Sequence, residues 1–283
     1  MTKLRRKFLE AMPPILAAAT ALAYFGSNAY SRPAAPGPVL RAATRFATPP
    51  SGSVSSAFRS TFAGAAHFTN RNSEVEAGTE QAVTALASKV GQLSHPNALS
   101  DAFESYFAFK AAHANEVRKP YLYFVDYGLP STTPRGYVFD MNALEIVDGP
   151  FMVAHGRGSA ANAKGIPTRF SNAFGAATTS LGLYVAQNVY SFTGHAGGQK
   201  YSSIGLRLDG VSGVFNSNAL ARGVVAHGAP YVTETRAGRS EGCPAMEPSR
   251  AQRLLPKLAN GGLVFLFAPD SGWMTRDPWV TAG

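Results

Sequence analysis

The sequence predicts a mostly β domain, a sandwich or barrel broken by one late helix and preceded by a short helical segment. Three observations carry this. From Lys119 onward, short apolar and aromatic runs recur with Gly- and Pro-containing turns between them. A single stretch near the end has helical periodicity with a proline start and a glycine stop. The residues just before Lys119 place apolar side chains at helical spacing instead.

The elements follow in chain order. Residues 1–29 have the three parts of a secretory signal: a basic stretch from Lys3 to Lys7, an apolar run from Ile15 to Phe25, and small residues at Ser27-Asn28-Ala29. Arg5-Arg6-Lys7-Phe8-Leu9 resembles a twin-arginine export signal. The apolar run is shorter than the roughly 20 residues that span a bilayer. If uncleaved, it is an N-terminal anchor and the chain's only contact with a membrane. Either way the rest of the chain is expected outside the cytoplasm, in the periplasm or an equivalent compartment.

Residues 30–75 are rich in Ala, Pro, Ser, Thr and Gly and read as a flexible spacer. Residues 76–118 read as a helical segment. Its first helix spans about Glu76–Leu93. Its second is capped by Asn97 and puts Leu99, Phe103, Tyr106 and Phe107 on one face, as contacts with the domain that follows. Strands are expected at Tyr121–Val125, Tyr137–Asp140, Phe151–His155, Leu181–Val185, Ser203–Leu208, Gly223–His227 and Leu263–Phe267. The late helix opens on Pro248, buries Ala251, Leu254, Leu255 and Leu258, and stops at Asn260-Gly261-Gly262. Residues 119–270 then form the main domain and 271–283 a C-terminal tail. No internal repeat is visible.

Bulk properties narrow the function. The length suits one ordinary domain with extra segments, or two small ones. The formal net charge is +9, and losing residues 1–29, with four positive charges and one negative, would leave +6. A modestly basic exported protein is drawn to anionic polymers such as cell-wall glycans. There is no zinc-finger spacing, no P-loop and no basic run interleaved with aromatics, so nucleic acid is not an expected partner.

Cys243 is the only cysteine. In an oxidising compartment it has no partner in its own chain. It lies in Arg239-Ser240-Glu241-Gly242-Cys243-Pro244-Ala245, a small polar loop unlike an apolar strand, which favours a reactive thiol. Nucleophilic catalysis by cysteine needs a base and oxyanion donors. Gly242 lets the backbone bend and a substrate carbonyl approach, Pro244 stiffens the exit, and Ser240 offers a hydroxyl. The base must be one of six histidines. His67, His95 and His113 read as surface residues, and His195 lies in a Gly-rich stretch that reads as a mobile loop. His155 and His227 both end an apolar run and precede a glycine, in Ala154-His155-Gly156 and Ala226-His227-Gly228. Either could face the thiol. A metal site of His155, His195, His227 and Cys243 has no His-X-X-His or paired-cysteine spacing behind it.

His227-Gly228 followed by Ser240-Glu241-Gly242-Cys243 resembles the His-Gly … Ser-X-Gly-Cys pattern of the YkuD-like L,D-transpeptidases, and more narrowly the murein L,D-transpeptidase catalytic-domain family. The resemblance runs from about Tyr121 to Asp270 and includes Val153-Ala154-His155-Gly156, Ser180-Leu181-Gly182-Leu183-Tyr184 and Gly228-Ala229-Pro230-Tyr231-Val232. It implies a mostly β catalytic domain acting on peptidoglycan stem peptides, with Cys243 as nucleophile, His227 as base, and no metal or organic cofactor. Ser240 and Gly242 fall on loop positions beside the nucleophile, where the Ser240 hydroxyl and backbone N–H groups would serve the oxyanion or substrate, and Arg239 and His155 are expected with them as oxyanion or substrate residues. Two features depart from the best-known subgroup. Glu241 stands where that subgroup has a second histidine. Pro244-Ala245 replace a hydrophobic residue and a pocket-organising arginine, a role that Arg239 would have to fill. The other outcomes to weigh are L,D-carboxypeptidase activity, if water takes the acyl group, and a non-enzymatic wall-binding module or pseudoenzyme.

Overall fold

A computed structural model of the chain describes residues 57–280, with side chains from residue 72 onward. The expected secretory signal and most of the expected spacer lie outside the described residues. Among those described, no helix is long and apolar enough to cross a membrane.

Helix α1 (Ala57–Leu86) starts well before the expected Glu76 and takes in the end of the stretch read as spacer. The physical reason is the composition of residues 57–75, which hold alanines, phenylalanines and charged residues but no proline. Helix α2 (Ala98–Ala112) follows. Asn97 precedes it, yet its side chain makes no capping hydrogen bond; its carbonyl accepts from the Asp101 N–H instead. Leu99, Phe103 and Tyr106 are buried, and the Phe103 ring meets Phe139 edge-on at 5.3 Å. Phe107 turns to α1, where the absent side chain of Gly78 makes room for its ring.

The β elements are β1 (Tyr121–Asp126), β2 (Gly136–Asp140), β3 (Glu145–Phe151), β4 (His155–Gly156), β5 (Gly182–Ala196), β6 (Gln199–Gly210), β7 (Val225–Gly228), β8 (Arg239–Ser240) and β9 (Ala245–Met246). Helix α3 (Pro248–Leu258), strand β10 (Leu263–Phe267) and helix α4 (Ser271–Met274) complete the chain. Eight strands form one mixed sheet in the order β3-β2-β1-β10-β5-β6-β7-β9, while β4 and β8 form a separate parallel pair. The sheet centre is the parallel pair β1 and β10, in register at Leu122↔Leu263 and Phe124↔Phe265. Both are buried on two faces, so they read as unbroken apolar runs and not as alternation.

Helix α3 has Pro248 in its first turn and buries Ala251, Leu254, Leu255 and Leu258, as the sequence implies. Its end is closed by Asn260 and Gly261 at positive φ and by a Gly262 N–H to Leu258 carbonyl bond of 2.8 Å. The tail is packed: Trp273 is 2% exposed and its ring meets Phe265 and Phe267. One core joins α1, α2, the sheet, α3 and Trp273. This scaffold sets β7, β8, β9 and β4 side by side, and the candidate site is built there.

Candidate active site

Cys243 sits in the four-residue connection between β8 and β9. Gly242 adopts φ +129°, where side chains are rarely tolerated, and a Cβ on it would come 2.7 Å from the Thr178 carbonyl oxygen. The turn is tied from within by Ser240. Its Oγ accepts the Gly242 N–H at 3.1 Å, and its hydroxyl donates to the Cys243 carbonyl at 2.6 Å. The hydroxyl expected to meet substrate, and the Gly242 N–H expected to serve an oxyanion, are thus both engaged in shaping the turn.

Two strands hold the turn from outside. On one side β4 pairs with β8 at His155↔Arg239, the Ala154 N–H donates to the Ala245 carbonyl, and Gly156 packs against the Gly242 backbone. On the other, β7 pairs in parallel with β9 at His227↔Ala245, and the His227 N–H donates to the Pro244 carbonyl at 3.3 Å. The His227 backbone therefore adjoins Pro244 and Ala245, the two residues that follow Cys243.

His227 is buried. Its Nδ1 lies 3.1 Å from the Gly228 carbonyl oxygen. A carbonyl only accepts, so Nδ1 carries the hydrogen and Nε2 the lone pair. Phe192 and Tyr231 meet the imidazole edge-on, at 5.6 and 6.4 Å. Burial lowers its pKa below the ordinary histidine value, against a smaller opposing effect of the Gly228 hydrogen bond. Such a ring is neutral near pH 7 and able to take a proton.

Cys243 is half-buried, and its Sγ lies 4.0 Å from the Gly223 carbonyl oxygen. Desolvation raises the thiol pKa. The Val225 N–H and the Arg222 charge act against this, and Glu241 adds to it. The phenols of Tyr127, Tyr184, Tyr190, Tyr201 and Tyr231 are also near enough to feel the sulfur, and burial keeps all of them neutral well above pH 7.

A family model described as the L,D-transpeptidase catalytic domain matches residues 92–267. The chain belongs to that family. Three solved L,D-transpeptidases are among the similar structures. One from Mycobacterium smegmatis is 14% identical, with a TM-score of 0.33, over 53% of this chain and 59% of that one. One from Stackebrandtia nassauensis is 17% identical, with a TM-score of 0.32, over 62% and 68%. L,D-transpeptidase 3 from Mycobacterium tuberculosis is 14% identical, with a TM-score of 0.28, over 52% and 61%. The chain thus covers less than two thirds of the first of these. A search of curated proteins finds no match.

The expected site residues and His195 lie within the matched span, but the structure sorts them. Cys243, Gly242 and Ser240 share the turn, with His227 on the adjoining strand. His155 lies on β4, fully buried, with its Nδ1 accepting from Arg135 Nη2 at 3.0 Å. Burial, then Arg135 and Arg239, hold its pKa down to about 4. Arg239 is exposed, and its nearest hydrogen-bond partner is the Arg157 carbonyl at 3.5 Å. Glu241, in place of the second histidine, forms an exposed ion pair with Arg157 at 2.8 Å. His195 is no loop residue. It pairs with Lys200 near the tip of the β5–β6 hairpin, because Gly197 and Gly198, both at positive φ, make a two-residue turn.

Two arginines were missed. Arg135, fully buried, donates to the Val153 carbonyl through Nε and Nη2 and to the Leu129 carbonyl through Nη1, and stacks on Tyr127 at 4.8 Å. It thereby holds the strand that backs the turn. Arg222, just before β7, lies against the turn from the other side. Neither has a local sequence signal, since each acts through backbone carbonyls, which every residue has.

Proposed function

We propose that the protein is an exported cysteine-dependent L,D-transpeptidase acting on peptidoglycan stem peptides, with Cys243 as nucleophile and His227 as base. The observation that supports this reading is the pairing of β7 with β9 at His227↔Ala245, two residues past Cys243 and within the family's catalytic span, together with a His227 Nδ1 that faces the Gly228 carbonyl and leaves Nε2 as the acceptor.

His227 Nε2 takes the thiol proton as the sulfur attacks the amide carbonyl at an L-centre of the donor stem. The tetrahedral intermediate collapses, the C–N bond breaks, and the imidazolium returns the proton to the leaving D-amino acid. A neutral amine of a second stem then attacks the thioester, its proton passes to His227, and the thiol is released. General base catalysis of this kind contributes roughly 10²–10⁴-fold. The oxyanion donor assigned on this reading is the Cys243 N–H, because Ser240 Oγ holds that of Gly242. With the thiol pKa raised and the imidazole pKa lowered, the resting pair is neutral, and the proton moves when substrate arrives.

On this reading residues 1–29 are the export signal, residues 30–75 link it to the catalytic part, and the mature protein works outside the cytoplasm. The test is mass spectrometry of purified muropeptides incubated with the mature protein and with C243A. Cross-linked products that need Cys243 are expected. Shortened stems without cross-links would shift the outcome to L,D-carboxypeptidase. No Cys243-dependent change with a folded protein would leave a wall-binding module or pseudoenzyme.

A further inference from the structure

We propose that Arg222 is a positioning residue of the acyl-transfer centre, one that locks the loop facing Gly242 and keeps a positive charge beside the Cys243 sulfur. The proposal rests on the assignment of Cys243 as nucleophile.

The geometry begins with the guanidinium. Arg222 Nη1 donates to the Ser171 carbonyl at 2.9 Å, and Nη2 donates to the Ala176 and Thr178 carbonyls at 3.0 and 3.2 Å. A single fork thus gathers the loop from Ser171 to Thr178, which packs against the cysteine turn. The Thr178 oxygen is the atom that a Cβ at position 242 would strike, and Arg222 Nη2 is 3.8 Å from where that Cβ would sit. Loop, guanidinium and glycine therefore meet at one place, one residue from the sulfur.

The second part is charge. Every hydrogen-bond partner of the guanidinium is a neutral carbonyl or hydroxyl, and no ion pair among the described residues includes Arg222. Its charge is not cancelled by a carboxylate, so it is felt at the sulfur. The adjoining residues complete the cradle: the Gly223 carbonyl lies by Sγ, the Val225 N–H acts with Arg222 to lower the thiol pKa, and two residues on comes His227. The six-residue segment Arg222–His227 thus brings the charge and the backbone groups to the sulfur and carries the proposed base. Glu241, on the turn itself, opposes Arg222 at the sulfur, but its carboxylate is exposed and paired with Arg157.

Two variants separate charge from shape. R222Q keeps hydrogen-bonding groups and removes the charge. Iodoacetamide alkylation of Cys243 should need higher pH in R222Q, with the rate at pH 7.5 falling about tenfold, the effect of one pKa unit. R222K keeps the charge without the fork. Its alkylation midpoint should stay near the wild-type value, while kcat/KM on a stem peptide falls about tenfold because an ammonium does not bridge the three carbonyls. A purely structural arginine predicts something else: both variants lose turnover with their stability, and neither alkylation profile moves. That result in folded proteins would overturn the proposal. Should R222Q not fold, R222K still decides, because wild-type turnover or a shifted alkylation midpoint in R222K would overturn it too. The alkylation readout needs no peptidoglycan, so it stands even if wild-type protein leaves muropeptides unchanged and the transpeptidase reading fails.

Discussion

Acidification should loosen the strand that backs the cysteine turn, through His155. The ring is 0% exposed and its pKa is lowered from 6.5 to about 4, chiefly by burial and then by Arg135 and Arg239. The folded state therefore favours the neutral imidazole. The stability this gives is complete above pH 6.5 and is lost as pH falls toward 4, because the unfolded chain binds the proton first. Between pH 7 and pH 5 the loss works out to about 2 kcal/mol for one group with these two pKa values. Asp101 acts in the opposite sense. Its pKa is raised to about 7 by burial, then by Glu104 and Asp277, so its contribution to stability grows as pH falls from 7 toward 3.8. The total pH dependence thus hides the histidine, and a difference measurement is needed. H155N keeps an acceptor for Arg135 Nη2 and cannot titrate. Urea unfolding of wild type and H155N at pH 7 and pH 5 should show wild type losing about 2 kcal/mol relative to the variant over that interval. Equal pH dependence in the two proteins would refute the buried, neutral His155.

Two further outcomes follow from packing. G242A forces a side chain into φ +129° and against the Thr178 carbonyl, so we expect a stability loss of about 2 kcal/mol and at least a tenfold drop in Cys243-dependent turnover; a fully active G242A would show that the turn can rearrange freely. W273A removes the ring that packs on Phe265 and Phe267, with an expected cost of about 3–5 kcal/mol in denaturant unfolding; a cost below about 1 kcal/mol would mean the tail contributes nothing to the core.

Legibility of the fold followed burial. Strands β1 and β10 stood out because both faces are covered, and α3 because its apolar stripe, proline and glycines agree. Strand β3 was invisible. It ends the sheet, its residues are mostly exposed or half-buried, and Asp148 and Pro150 in it look like turn chemistry. Strands β8 and β9 are two residues long and exist only because β4 and β7 pair with them, which no local pattern encodes. The β5–β6 hairpin extends beyond the expected strands because Gly197-Gly198, which look like a loop in sequence, make a tight turn.

The site divides along the same line. The proposed pair, Cys243 and His227, stands out in the sequence because such chemistry is rare and the neighbours are glycines, so the residue types carry the signal. The pocket arginine expected from the sequence, Arg239, lies four residues before the cysteine on the two-residue strand β8, where its side chain is exposed. Arg222 reaches the turn from 21 residues upstream, by way of carbonyls a further 44–51 residues back. An arginine's role is fixed by what its fork meets, and here it meets backbone oxygens, which every residue has. No side-chain motif can announce such a partner. Only the fold, by bringing the 171–178 loop against Gly242, turns one arginine among many into the charge beside the sulfur.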